Sequence, residues 1–245
     1  MKIALLGYGK MGHYIENVLM NKNHTIVLKS NTKNVLKNEH YKLKQVNLAI
    51  DFSHPDIVVE NILTCFDYDV PIVVGTTGWN QKIDFIKNQC LKLNQSILYS
   101  PNFSLGCNIL IYINDILSKI FNNHIEYDIS ITEGHNKNKY DSPSGTSIKI
   151  ANDIINNIAR KQEWVNQKDL VSNRKQILIN SIRNNKYTGY HSINYKSSND
   201  IMILEHSVFS RKSFAEGAVI CGEWLIGKSG FFTINDIIEL YFNLK

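Results

Sequence analysis

At 245 residues the chain is long enough for one large or two smaller domains with full cores. Hydrophobic residues make up 43% and charged residues 20%, which excludes a disordered or collagen-like chain. The net charge of +5 comes from Lys and Arg scattered among asparagines, with no basic stripe interleaved with aromatics. It therefore argues against a nucleic-acid binder and stays compatible with anionic small molecules. Cys65, Cys90, Cys107 and Cys221 show no C-x-x-C or Cys/His spacing, which argues against zinc and against a disulfide framework and fits a reducing cytoplasm. The short run Ile3 to Leu6 is broken by Gly7 before it reaches the length of a signal or membrane segment.

In chain order, short apolar β-branched runs alternate with helical stretches, the pattern of β-α-β units around a parallel sheet. Strands are expected at Lys2 to Leu6, Thr25 to Lys29, Leu48 to Phe52, Pro71 to Val74 and Ser96 to Tyr99. A helix is expected from Pro55 to Phe66, with Ile57, Val58, Asn61, Ile62 and Cys65 on one face. Cys107 to Phe121 reads as an amphipathic helix, its apolar face made by Ile109, Leu110, Ile113, Ile116, Leu117 and Ile120. Strands at Ile125 to Thr132, Gln176 to Ile182, Gly189 to Tyr195 and Ile201 to Ser207 then imply an antiparallel or mixed sheet. Phe214 to Trp224 reads as a helix, Gly227 to Gly230 as a turn, and Phe231 to Leu244 as an apolar end.

Gly7-Tyr8-Gly9-Lys10-Met11-Gly12 stands directly after the first strand. In that context G-x-G-x-x-G places a pyrophosphate on a helix N-terminus. The second strand runs into Lys29-Ser30-Asn31-Thr32-Lys33, where a carboxylate for the ribose hydroxyls of NAD is missing. This leans toward NADPH, with solvated lysines as the alternative. Gly75-Thr76-Thr77-Gly78 and Ser100-Pro101-Asn102-Phe103 follow the fourth and fifth strands, at the carboxyl ends where doubly wound sheets bind ligands. Each is either a cofactor contact, with Phe103 against a nicotinamide ring, or a plain turn. In the stretch Glu133 to Thr146, Pro143-Ser144-Gly145-Thr146 is a helix start whose free N–H groups suit a carboxylate. His135 suits proton transfer and Lys139 is a charged donor. The same stretch also reads as a polar surface loop with an ordinary N-cap.

Together these motifs, with Asp51-Phe52-Ser53, Asn102 to Gly106, E-x-H-x-x-x-K-x-D-x-P-S-G-T from Glu133 to Thr146, and Ser210-Arg211-x-x-Phe214-Ala215-x-Gly217-Ala218, resemble the 4-hydroxy-tetrahydrodipicolinate reductase family. The matches span most of the chain in order. The resemblance implies an α/β fold: a Rossmann-type parallel-sheet domain of residues 1–104 and 214–245, and a mixed α/β domain of residues 105–213 for substrate binding and tetramerisation. It implies a cytoplasmic homotetramer in which NADPH or NADH reduces a cyclic dicarboxylate imine, with the 4-hydroxyl leaving as water. By position, His135 and Lys139 carry the proton-transfer roles, and Gly145, Thr146 and Arg211 bind the substrate. Asn136 stands where the family has a second histidine, and it keeps a hydrogen-bond donor but no charge. Two other readings are a different two-domain nicotinamide oxidoreductase, which leaves the Lys139 to Thr146 loop unexplained, and a non-catalytic sensor of the nicotinamide pool, which His135 and Lys139 speak against.

Overall fold

The computed structural model describes residues 1–31, 36, 39–166 and 173–242. It divides into two compact units, one of Met1–Leu105 with the chain from Arg211 onward, the other of Gly106–Ser210.

The first unit opens with β1 (Lys2–Leu6), α1 (Lys10–Asn21), β2 (Thr25–Ser30), β3 (Leu48–Asp51), α2 (Pro55–Asp67), β4 (Ile72–Val74), α3 (Ile83–Lys92) and β5 (Ser96–Tyr99). Ile3, Ala4, Leu5 and Leu6 are all buried, as they must be in a parallel strand covered by helices on both faces. Pro55 and Asp56 open α2, and His54 at its N-cap accepts a hydrogen bond from the Asp56 N–H. Fixed φ at the first helical position and a carboxylate at the positive end both favour that start. Val58, Ile62, Cys65 and Phe66 then pack with Ala49, Ile72 and Val74 on one face of the sheet.

The second unit holds α4 (Leu105–Phe121), which begins at the unit boundary, then β6 (Asp128–His135), α5 (Gly145–Asn157), β7 (Glu163–Asn166), β8 (Gln176–Arg183), β9 (Gly189–Lys196) and β10 (Ile201–Val208). Its sheet has the order β10-β9-β6-β8-β7. β6 pairs parallel to β8 and antiparallel to β9, so the sheet is mixed. One face carries α4 and α5 over a core that includes Leu110, Ile111, Ile131, Ile150, Ile154, Ile179, Ile193 and Tyr195.

Two readings shift here. Strand β6 starts at Asp128 and runs on through His135. Arg160 binds the carbonyls of His124 and Tyr127, which fixes the segment before the strand as a turn. The apolar residues of α4 are also divided between two faces. Leu110 is buried, whereas Ile109, Ile116 and Ile120 are exposed. The inner face is completed by Cys107, Ile111, Asn114 and Ser118. The two polar residues find partners inside, Asn114 Oδ1 in the Tyr195 hydroxyl at 2.7 Å and Ser118 Oγ in Asn157 Nδ2 at 2.8 Å, so polarity in the sequence does not mark the outer face.

The chain returns to the first unit with α6 (Lys212–Leu225), β11 (Gly230–Thr233) and α7 (Ile234–Phe242). Arg211 precedes α6 and goes with the first unit. β11 adds to β5, giving a parallel sheet of order β11-β5-β4-β3-β1-β2. The order reverses between β1 and β3, the switch point at which such sheets open a crevice.

Candidate active site

In the first unit the switch point is built by close approach of backbones. Gly7 sits at φ +88°, and a Cβ there would collide with the Phe52 carbonyl after β3, so only glycine closes the turn. Gly9 is the N-cap of α1 and offers no side-chain cap, and the first turn of α1 holds no acidic residue. The amides of Lys10, Met11 and Gly12 are therefore left with the positive end of the helix and no competing carboxylate, an arrangement suited to a phosphate.

The side chains around the crevice divide into those tied down and those exposed. Asp51, fully buried at the end of β3, accepts from Ser53 N–H (3.0 Å), Ser53 Oγ (2.8 Å), Thr76 Oγ1 (2.6 Å) and Asn61 Nδ2 (2.8 Å). Burial raises its pKa against these bonds. Thr76 is thus turned inward, and Ser53 N–H also donates to its hydroxyl at 2.7 Å. Gly75 backs onto the Phe52 ring, while Thr77 and Pro101 are exposed. Ser100 Oγ donates to the Asn102 carbonyl, and Asn102 Oδ1 accepts from Ser104 N–H. The ring of Phe103 is 1% exposed and lies 5.8 Å from Phe52. Its backbone is pressed by Gly217 of α6, so the ring serves the core and offers no open face to a nicotinamide.

At the end of β2, Ser30 Oγ accepts from Gly7 N–H at 3.3 Å. Lys29 Nζ donates to Glu16 Oε1 at 2.6 Å and lies 4.5 Å from the centre of the Tyr8 ring, whose hydroxyl also binds Glu16. Lys29 is thus an ion-paired group, and Lys33 lies outside the described residues.

In the second unit, period-two alternation along β6 points Glu133 and His135 to the same side. Glu133 is fully buried. Its carboxylate accepts from Ser144 N–H (3.1 and 3.0 Å to its two oxygens), Ser147 Oγ (2.7 Å) and Arg183 (2.6 Å), and Oε2 lies 3.5 Å from His135 Nε2. Burial alone would raise this acid, yet the adjacent His135 and hydrogen bonds from Ser144, Arg183 and Ser147 hold it far below the ordinary carboxylate range. His191, opposite Glu133 on β9, stacks edge-on to His135 at 5.2 Å. Burial, then the neighbouring His135, push its pKa down to about 3, so it stays neutral.

The loop between β6 and α5 carries the remaining candidates. Lys139 Nζ pairs with Asp141 at 2.8 Å. Asn136 Nδ2 donates to Asn185 Oδ1 at 3.3 Å, and its own Oδ1 accepts from Asn138 N–H at 3.1 Å. Ser144 caps α5 by accepting from Ser147 N–H. Next to it Gly145 faces open space: a Cβ there would meet nothing within 4 Å among the described residues. The first amides of α5 are thereby accessible to a small anion. Arg211, in the first unit, is exposed.

Glu133, His135 and His191 offer potential ligand atoms within 4.8 Å of one another. The donor set does not fit a cation, because both Glu133 oxygens already accept hydrogen bonds and one of them binds Arg183. Arg183 and His191 escaped the sequence reading, which also gave Glu133 no role. The i, i+2 spacing of Glu133 and His135 was the one signal for a shared face, whereas Arg183 and His191 arrive through strand register.

A glycine turn at the switch point of a doubly wound parallel sheet, joined in one chain to a mixed-sheet unit bearing a histidine and an open helix start, defines a nicotinamide-dinucleotide oxidoreductase. The family profile described as dihydrodipicolinate reductase, N-terminus, matches residues 1–103, and that described as dihydrodipicolinate reductase, C-terminus, matches residues 106–238. A 4-hydroxy-tetrahydrodipicolinate reductase of Christiangramia forsetii is 37% identical over 239 residues, covering 98% of each chain. The protein of the same name from Rickettsia rickettsii is 32% identical over 98% of this chain and all of its own. A dipicolinate-bound dihydrodipicolinate reductase from a Paenisporosarcina species shares the fold with a TM-score of 0.78 at 21% identity, covering 95% of this chain and 97% of its own. The chain belongs to the dihydrodipicolinate reductase family.

Proposed function

We propose that the chain reduces 4-hydroxy-tetrahydrodipicolinate to tetrahydrodipicolinate with loss of water, in lysine and diaminopimelate biosynthesis. The observation that carries this reading is the single segment from β6 to α5, in which His135, Lys139 and the open amide end of α5 follow one another. A nicotinamide dinucleotide at the glycine turn supplies the hydride. Its binding falls to Gly7, Tyr8, Gly9, Lys10, Met11, Gly12 and Ser30, and to the turns at Gly75, Thr76 and Thr77 and at Ser100, Pro101, Asn102 and Phe103. Thr76 and Phe103 act there through their backbone or by holding neighbours, since their side chains are buried.

On the substrate, the amides of Gly145 and Thr146 take one carboxylate. His135 moves a proton, and Lys139 is the second proton donor once the substrate competes with Asp141 for its ammonium. Asn136 offers a hydrogen bond without charge, and Arg211 adds a cation. Either NADH or NADPH serves as donor: the leaning toward NADPH loses support because Lys29 is held by Glu16. A homotetramer built through the second unit is supported by Ile201 and Ile203 of β10, both about half exposed on the sheet face opposite Leu204, which packs toward the helices. No helix among the described residues is long and apolar enough to cross a membrane, which supports the reading of a cytoplasmic enzyme.

The test is loss of NADPH or NADH absorbance with substrate generated in place from pyruvate and aspartate semialdehyde by the partner synthase. Oxidation that requires the synthase and falls by about 10²- to 10⁴-fold in His135→Ala is expected. Folded protein that oxidises neither cofactor would refute the assignment.

A further inference from the structure

The proposed chemistry uses His135 but leaves unexplained why a carboxylate, one of the costliest groups to bury, lies directly behind it. Glu133 is 0% exposed, and its bonds go in two directions. On one side it takes Ser144 N–H and Ser147 Oγ, fixing the residue that caps α5. On the other, its Oε2 lies 3.5 Å from His135 Nε2, an atom sealed from solvent that has no hydrogen-bond partner among the described residues. Arg183, drawn in by strand register, supplies the positive charge that makes the burial tolerable.

The imidazole is faced from β6 by Glu133 and from β9 by His191. The His191 ring is neutral and its Nε2 lies 3.4 Å from Ser144 Oγ. Among the described residues, only the carboxylate stands where it can accept strongly from the inner nitrogen of His135. A histidine whose inner nitrogen is bound by a carboxylate has its tautomer fixed and presents the other nitrogen outward.

We infer that Glu133 is a positioning residue for the proton transfer: it holds His135 with Nε2–H turned inward and Nδ1 free for the ligand, and by the same carboxylate sets the start of α5. The inference rests on the reading of His135 as the proton carrier. In the step, the Nδ1–H bond of the imidazolium breaks as the proton passes to the substrate. The ring is left neutral, with its Nε2–H still facing the carboxylate. When the ring takes a proton back it forms at Nδ1 again, so Glu133 remains ionised throughout. One side chain thereby ties the proton carrier to the carboxylate-binding amides, and the two keep a common registry.

The experiment is nitrogen NMR of the full protein with labelled histidine and no substrate, at a pH where the His135 ring is neutral. The His135 signal is assigned by its loss in His135→Ala. The expected spectrum has Nε2 protonated and Nδ1 bare; a ring protonated at Nδ1 overturns the inference. In Glu133→Gln, a tautomer mixture is expected, with kcat lower by about tenfold to a hundredfold, part of the ~10²–10⁴ that proton transfer contributes, and dinucleotide affinity unchanged. A folded Glu133→Gln protein with the wild-type tautomer and kcat also overturns it. Should that variant fail to fold, the wild-type tautomer decides alone. Wild-type protein that oxidises no cofactor fails the functional reading instead, since the tautomer is measured without substrate.

Discussion

Each unit of this protein buries a carboxylate at a strand end and uses it as a clamp, yet the two are neutralised differently. Asp51 in the first unit binds four neutral donors on Ser53, Thr76 and Asn61, and burial raises its pKa. Glu133 in the second unit has a guanidinium at 2.6 Å besides its neutral donors, and its pKa is lowered. Where the task is to tie two turns together, as Asp51 ties the turns after β3 and β4, hydrogen bonds suffice and the charge is a burden. Where His135, the proposed proton carrier, stands 3.5 Å away, the charge itself is useful, and a counter-ion is built in to keep it.

The largest effect should come from removing the charge at Glu133. Glu133→Gln takes the charge partner from the partly buried Arg183, which keeps only the carbonyls of Ile182 and Asp141, and turns an amide N–H toward donors that need an acceptor. A loss of about 3–5 kcal/mol is expected from such a break, read as a lower midpoint in urea. A loss under about 1 kcal/mol would mean that the carboxylate is no more important to folding than an exposed one.

Acid unfolding separates the two sites by sign. The folded pKa of Glu133 is depressed, so its contribution is complete above the ordinary carboxylate range, about pH 4, and is lost as pH falls below that range. The folded pKa of Asp51 is raised, so its contribution is greatest at low pH and is lost as pH rises through the folded value. Stability followed from pH 7 to pH 3 should therefore fall less steeply in Glu133→Gln than in wild type, and more steeply in Asp51→Asn. Parallel curves for all three proteins would erase the distinction.

At pH 7 Asp51→Asn itself should change stability by no more than about 1 kcal/mol in either direction. The amide oxygen introduced by that substitution can keep the bonds from Ser53 and Thr76. The accompanying N–H group can be met by the Asn61 amide turned over, since Asn61 Oδ1 is buried and has no hydrogen-bond partner among the described residues. A loss of several kcal/mol would show that the charge matters at this clamp too.

The same contrast governs what the sequence could reveal. The dinucleotide crevice was legible because its requirements are local: Gly7 and Gly9 declare a turn and a helix start within a few residues, and the apolar runs of β1, β3 and β5 declare buried strands. β11 was not, because Gly230–Thr233 becomes a strand only by pairing with Ser96–Tyr99, more than a hundred residues earlier. In the second unit His135 and Gly145 could be picked out as candidates from type and spacing. Arg183 comes to Glu133 from fifty positions away, and no local pattern distinguishes it from a surface arginine. The faces of α4 were misjudged for a related reason, since only the partners Tyr195 and Asn157 make Asn114 and Ser118 inner residues.

A third carboxylate tests the small end of the scale. Glu16 holds Lys29 in a part-exposed pair beside the glycine turn, and such pairs contribute about 0.2–1 kcal/mol. In Glu16→Gln that hold is released while the helix keeps its shape, and an ammonium at the end of β2 becomes available to an anionic ligand. If the 2′-phosphate of NADPH lies there, the ratio of kcat/KM for NADPH to that for NADH should rise by about twofold to fivefold, the rate equivalent of the upper part of that range. Lys29→Ala should leave the wild-type ratio nearly unchanged, because its charge is already spent on Glu16. A ratio that moves in Lys29→Ala and not in Glu16→Gln would reverse this assignment, making Lys29 a phosphate contact in spite of its pair.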